Sequence, residues 1–221
     1  MKRALIACTV ISITLVSFAC TSVHRRFMAE GYKKNPEQMI KRIVMISEPF
    51  PQNQDLTRLV SAMARDLIRT NRNYLVYGIL STEVEVAEAC KTRDGVLKWS
   101  VEKADALGEH IDLQITAEIR RCSDKSVVWS ATARASGKSG NRSLKNLVQD
   151  YVEKHGHQAE VYAAPAFNVI EDIVEAMPNP DLTEDELMEK IELEISLAPG
   201  QDLLFMIGSS WFYHLKNTPR M

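Results

Sequence analysis

Cysteine is the residue type whose placement in this chain says most about chemistry. Cys20 ends an apolar run near the N-terminus, while Cys90 and Cys122 stand far downstream in mixed sequence. A thiol at the end of an export-type run can be modified or left free, and two isolated thiols can close one bridge in an oxidising compartment. His155-Gly156-His157 holds two imidazoles close together. Two ligands without a third or fourth make no metal site, so the pair reads as a solvated turn between helices. The acidic stretch from Asp181 to Glu194 lacks the Asp-x-Asp-x-Asp-Gly spacing of a calcium loop and reads as a solvated helix face. There is no Gly-x-Ser-x-Gly elbow, no phosphate loop ending in Lys-Ser/Thr, no His-Glu-x-x-His and no Cys-x-x-Cys. These residues lead us to expect no catalytic residue, no metal and no cofactor.

Lys2 and Arg3, the apolar run from Ala4 to Val16, and Ser17-Phe18-Ala19-Cys20 are the three regions of a secretory signal in order. The apolar part is about 13 residues, roughly 20 Å as a helix, short of the roughly 30 Å hydrocarbon core. An uncut membrane anchor is the competing reading, since charge returns only at Arg25-Arg26, which would form a basic far flank. Ser17 and Ala19 also satisfy the small-x-small cleavage rule, which leaves a soluble secreted or periplasmic protein with Cys20 free. A Cys preceded by a small residue resembles a bacterial lipoprotein signal, although Ser17 and Phe18 stand where Leu and a small residue are usual. That resemblance implies a diacylglycerol on the Cys20 thiol, palmitate-type acyl chains, and Cys20 as the mature N-terminus. Thr21, where Asp is the usual inner-membrane retention signal, implies the periplasmic face of the outer membrane. Several acyl chains are enough for stable anchoring.

The 221 residues are 45% hydrophobic and 25% charged, which suits one ordinary globular domain. Lys and Arg number 27 against 29 Asp and Glu, so the concentrated positive charge of a nucleic-acid binder is missing and no such partner is expected. Removing residues 1–19 takes Lys2 and Arg3 and lowers the charge from -2 to -4. If Cys20 is lipidated, Cys90 and Cys122 are left as a candidate disulfide, worth roughly 3–4 kcal/mol for a loop of about 33 residues. Two buried free thiols are the alternative, because spacing does not show that the Cβ atoms approach.

The elements that must position these residues follow an α/β order. Residues 21–40 mix charge with Gly31, Asn35 and Pro36 and read as a tether. Arg42 to Ser47 reads as a strand covered on both faces, and Leu56, Leu59, Val60, Met63 and Leu67 mark a helix beginning after Asp55. Tyr74 to Leu80 reads as a second strand, parallel to the first, and residues 82–90 as a short helix ending at Cys90. Val96 to Val101 is a further strand. Ile111 to Ile119 alternates strictly, Ser123 to Ser126 turns, and Val127 to Ala135 returns as a hairpin. Trp99, Trp129, Tyr74 and Tyr77 are expected in the core. One helix follows around Leu144 to Val152, another opens at Pro165, and Thr183 with Glu186 caps a last one from Glu184 to Leu193.

The fold expected is α/β with α+β character. One mixed sheet of about five strands, a βαβ unit followed by an antiparallel meander, packs with helices. The division is signal 1–19, tether 20–40, domain 41–198 and hydrophobic tail 199–221. Leu203 to Ile207 and Trp211 to Tyr213 of the tail either dock on the domain or touch a membrane or partner.

The strand–helix–strand order, the meander ending in Val127-Val128-Trp129-Ser130 and the following helix resemble the TolB N-terminal domain and lipoprotein activators of penicillin-binding proteins over residues 42–177. Leu59 to Tyr74, Arg120-Arg121-Cys122 to Trp129, Ala164 to Phe167 and Leu182 to Leu193 are similar to an uncharacterised lipoprotein family of myxobacteria and leptospires. The resemblance carries no activity. Together these features point to a non-enzymatic envelope lipoprotein that binds the bilayer through Cys20 and a protein partner through its domain. An envelope hydrolase with scattered carboxylates and a carrier of a small ligand or lipid are the alternatives.

Overall fold

The computed structural model describes residues 22–35, 38–108, 110–138 and 142–196. The signal segment 1–19, Cys20 and the tail 199–221 lie outside the described residues. The chain runs β1 (Ser22–Met28), β2 (Arg42–Ser47), α1 (Gln54–Asn71), β3 (Leu75–Leu80), α2 (Glu83–Ala89), β4 (Gly95–Leu107), β5 (His110–Arg121) and β6 (Val127–Lys138). It continues through α3 (Arg142–His155), a 3-10 turn at His157–Ala159, α4 (Glu160–Ala176) and α5 (Glu184–Ser196).

All six strands form one sheet in the order β1-β6-β5-β4-β2-β3. β2 pairs parallel with both β3 and β4, and the other pairs are antiparallel. The alternation in β5 sets the layers. Ile111, Leu113, Ile115, Ala117 and Ile119 are all buried, whereas Gln114, Thr116 and Glu118 on the opposite face are only half-buried. β6 adds Trp129, Ala131, Ala133 and Ala135 to the same face. α1 covers it with Leu56, Leu59, Val60, Met63 and Ile68, and α4 with Ala163, Ala166, Phe167, Ile170 and Val174, in one continuous core. Alanines on both β6 and α4 let helix and sheet approach closely.

Several expectations are corrected. The sheet has six strands rather than about five, because residues 22–28, read as part of a tether, pair antiparallel with β6 from Ser22↔Arg134 to Met28↔Trp129. The register shifts between Val23 and Arg25, and as an edge strand β1 packs only Val23 and Met28 against the core. That bulge and the exposed His24, Arg25 and Arg26 hide the strand period. β4 runs on to Leu107, past the Val101 at which apolar character fades, because its ladder with β5 continues to Leu107↔His110. α1 begins at Gln54 rather than after Asp55, capped by Asn53, whose Oδ1 accepts from Leu56 N at 2.9 Å. α4 begins at Glu160, so Pro165 lies inside it, at the cost of one backbone hydrogen bond. Tyr77 is half-buried on the face away from the core.

The turn between α3 and α4 is fixed by Gly156, which adopts φ 123°. The Asp55 carboxylate occupies the place where a side chain would begin. Asn53 Nδ2 donates to Gln158 O at 3.0 Å, tying the turn to the start of α1. Gly156→Ala meets both an unfavourable backbone conformation and Asp55, and we expect it to lower unfolding free energy by about 1–3 kcal/mol in urea denaturation.

Candidate functional site

Cys90 caps the end of α2 and Cys122 follows β5, and the Gly95↔Arg121 pairing brings them together. Their sulfur atoms are bonded, with Cα atoms 5.2 Å apart. The bridge borders an open cleft of about 570 Å³ lined by Lys41, Arg42, Arg93, Asp94, Arg121 and Glu186 among others. Most of this polar equipment is already committed. Asp94 Oδ2 accepts from the backbone N–H groups of Lys41 at 3.1 Å and Arg42 at 2.8 Å, clamping the start of β2. Lys41 Nζ donates to Glu186 at 2.8 Å, and Arg42 forms a fork with Glu189 at 3.3 and 2.7 Å. Arg93 lies over the Tyr77 ring, 3.4 Å from its centroid, and Tyr77 donates its hydroxyl to Glu189.

Burial alone would raise the Glu186 carboxyl, but hydrogen bonds from Lys41 and the Thr183 backbone outweigh it and hold Glu186 below the ordinary range. Glu189 raises the Arg42 guanidinium further. Glu186 therefore stays ionised near neutral pH and is not a proton donor. Among the described residues the carboxyl raised is that of Glu171 on α4, pushed up by burial and then by Glu175 and Asp172, and it does not line the cleft.

The acidic segment is solvated only in part: Asp181, Glu184, Asp185 and Glu192 are exposed, whereas Glu186 and Glu189 are half-buried. α5 turns Glu186 and Glu189 toward the back of β2 and β3, and Lys190 Nζ donates to Arg72 O at 2.7 Å. Leu187, Met188, Ile191 and Ile195 are left exposed. Lys41, Arg42 and Tyr77, its partners, had no sequence signal linking them to Glu186 and Glu189, more than 100 positions away. His155 stacks on Tyr151 with ring centroids 6.4 Å apart, and burial followed by the Arg65 charge lowers its pKa. Among the described residues no group of three or more His, Cys, Asp or Glu is gathered as for a metal.

A second charged group crosses the back of the antiparallel strands. Asp112 on β5 accepts from Arg134 of β6 through two bonds of 2.5 Å and from Lys103 of β4 at 2.7 Å. The Arg134 bonds lead, with Lys103 second, in holding its carboxyl at about 2.

No family model matches the chain, and no curated protein does. Some solved structures are similar to it in part. The PelC dodecamer from Paraburkholderia phytofirmans is 15% identical, with 72% of this chain and 99% of that one covered, at a TM-score of 0.43. Lipoprotein GNA1162 from Neisseria meningitidis is 14% identical over 52% of this chain and 96% of its own, with a TM-score of 0.34. Protein XCC0632 from Xanthomonas campestris, of the family DUF330, is 13% identical over 61% and 83%, with a TM-score of 0.31.

Two outcomes follow. Cys90→Ser with Cys122→Ser frees a loop closed across 32 positions, and we expect chemical denaturation to show a loss of about 3–4 kcal/mol. Asp112 has its folded pKa depressed from 3.8 to about 2, so its stabilisation is full above the unfolded value and fades as pH falls between them. Thermal melts from pH 5 to 2 should show a shallower acid loss for Asp112→Asn than for wild type.

Proposed function

We propose that this chain is a non-enzymatic lipoprotein of the bacterial envelope, anchored through acylated Cys20 on the periplasmic face of the outer membrane, whose domain serves as a protein-binding or assembly module. The Cys90–Cys122 bond is the observation that carries the reading, because structural disulfides belong to oxidising compartments and the N-terminal signal addresses the chain to one. The cleft beside it supports a non-catalytic role. Asp94 serves two backbone amides and Glu186 is held ionised by Lys41, so the two lining carboxylates are structural. The similarity to the uncharacterised lipoproteins of myxobacteria and leptospires belongs with the same reading.

Metabolic labelling with a palmitate analogue, followed by membrane fractionation, tests it. Wild type should carry label and sediment with the outer membrane, and Cys20→Ala should lose both. Unlabelled wild type, or label that survives Cys20→Ala, would overturn the anchored reading.

A further inference from the structure

Two parallel crossovers share β2. The chain leaves β2 through α1 to reach β3, then returns through α2 to β4, which lies on the other side of β2. The two steps run in opposite directions across the sheet, so right-handed connections put α1 and α2 on opposite faces. α1 covers the core that includes Ile43 and Met45 of β2. α2 therefore crosses the back of β2, against which it packs. Val44 points to that back face, paired with Val96 of β4, and both are buried although neither belongs to the core beneath α1. The helix that covers this face brings little to it. None of its seven residues is buried, and Val86 and Ala89 alone are half-buried.

Among the described residues, every hydrogen bond and ion pair that α2 makes stays within residues 81–92. Glu85 closes the capping box with Ser81 and Thr82, Glu88 pairs with Lys91, and the amides of the last turn bond to carbonyls of the same stretch. What ties the helix to the body is the Cys90–Cys122 bond at its end. The far half of that bond is held firmly, since Cys122 N donates to Asp94 O at 2.9 Å and Asp94 clamps the backbone of Lys41 and Arg42. The clamp does not need the bridge. A seven-residue helix, by contrast, is too short to keep its shape in water unaided. Both cysteines are half-buried and border the open cleft, where a thiol can reach them.

We infer that the Cys90–Cys122 bond is a redox latch on α2: when an external dithiol reduces it, α2 comes away and unwinds, the back of β2 and β4 at Val44 and Val96 is uncovered, and the sheet and its core stay folded. An incoming thiolate attacks one sulfur, and the electrons of the S–S bond leave with the other, which takes up a proton as a thiol. The second thiol of the donor then resolves the mixed disulfide, so the donor ends as a disulfide and Cys90 and Cys122 as two thiols. Reclosing runs the same exchange backwards with a disulfide as oxidant. Release of α2 is separate from the overall loss of stability on removing the bridge, because that loss acts through the unfolded chain. The latch does not depend on acylation of Cys20.

The test follows hydrogen exchange in the full folded protein before and after dithiothreitol, with alkylation and mass spectrometry to show that Cys90 and Cys122 have become thiols. Amides from 86 to 90 should pass from protected to within about tenfold of an unstructured peptide, while those of β5 and β6 keep about a hundredfold protection or more. Hydroxyl-radical footprinting should show more oxidation of Val44 and Val96 in the reduced protein. Cys90→Ser with Cys122→Ser, which needs no reductant, should reproduce both changes. Protection of 86–90 that survives confirmed reduction, or a loss that spreads through β5 and β6 together, overturns the latch. So does a bond that dithiothreitol leaves intact in the folded protein.

Discussion

The rest of the molecule depends on one apolar face, shared by β5 and β6, that has to be kept from water. Ile111, Leu113, Ile115, Ala117 and Ile119 on one strand and Trp129, Ala131, Ala133 and Ala135 on the next are buried together. Covering them requires α1 and α4 to lie across the sheet. β6 is the hinge of this arrangement, since it pairs with β5 on one side and with β1 on the other. Through β6, the same hydrophobic constraint that orders the core also fixes where the first described residues go.

That placement changes what an anchor at Cys20 would mean. A long tether would let the domain move through a volume above the membrane, with no preferred side. A strand that begins at Ser22 leaves only two residues between an anchor at Cys20, if it is acylated as proposed, and one end of one sheet. At the opposite end, the disulfide and the Asp94 clamp hold α2, β2 and the end of β5 together. The domain thus has a defined polarity, with the β4–β5 hairpin end on the side of Ser22 and the bridged end away from it.

The strands and helices with a clean period were legible in the sequence. β2 was placed to the residue, the β5–β6 hairpin and its turn were read from strict alternation, and α1 from its stripe. β1 was not legible because a bulge at His24 and charged side chains on an edge erase the period-2 signal. Pro165 was read as a helix start because proline favours the first turn, yet α4 gains enough burial from Ala163, Ala166 and Phe167 to carry it inside. For the site, Cys90 and Cys122 were named as a pair, but the cleft was not. Its partners are joined across more than 100 positions by β2, β3 and α5, and α5 turns Glu186 and Glu189 inward while leaving Leu187, Met188, Ile191 and Ile195 exposed. No local pattern announces a helix that docks through its polar face.

The most direct measurement of this account is native-state hydrogen exchange across β1 in the mature, folded protein. The amides of β1 that bond to β6 should be protected to within about a hundredfold of those in β6, as in an edge strand of one cooperative sheet, while the alternate amides, which face away from β6, exchange faster. Exchange of the bonded amides at the rate of an unstructured peptide, with β6 still protected, would make residues 22–28 a free tether and contradict it.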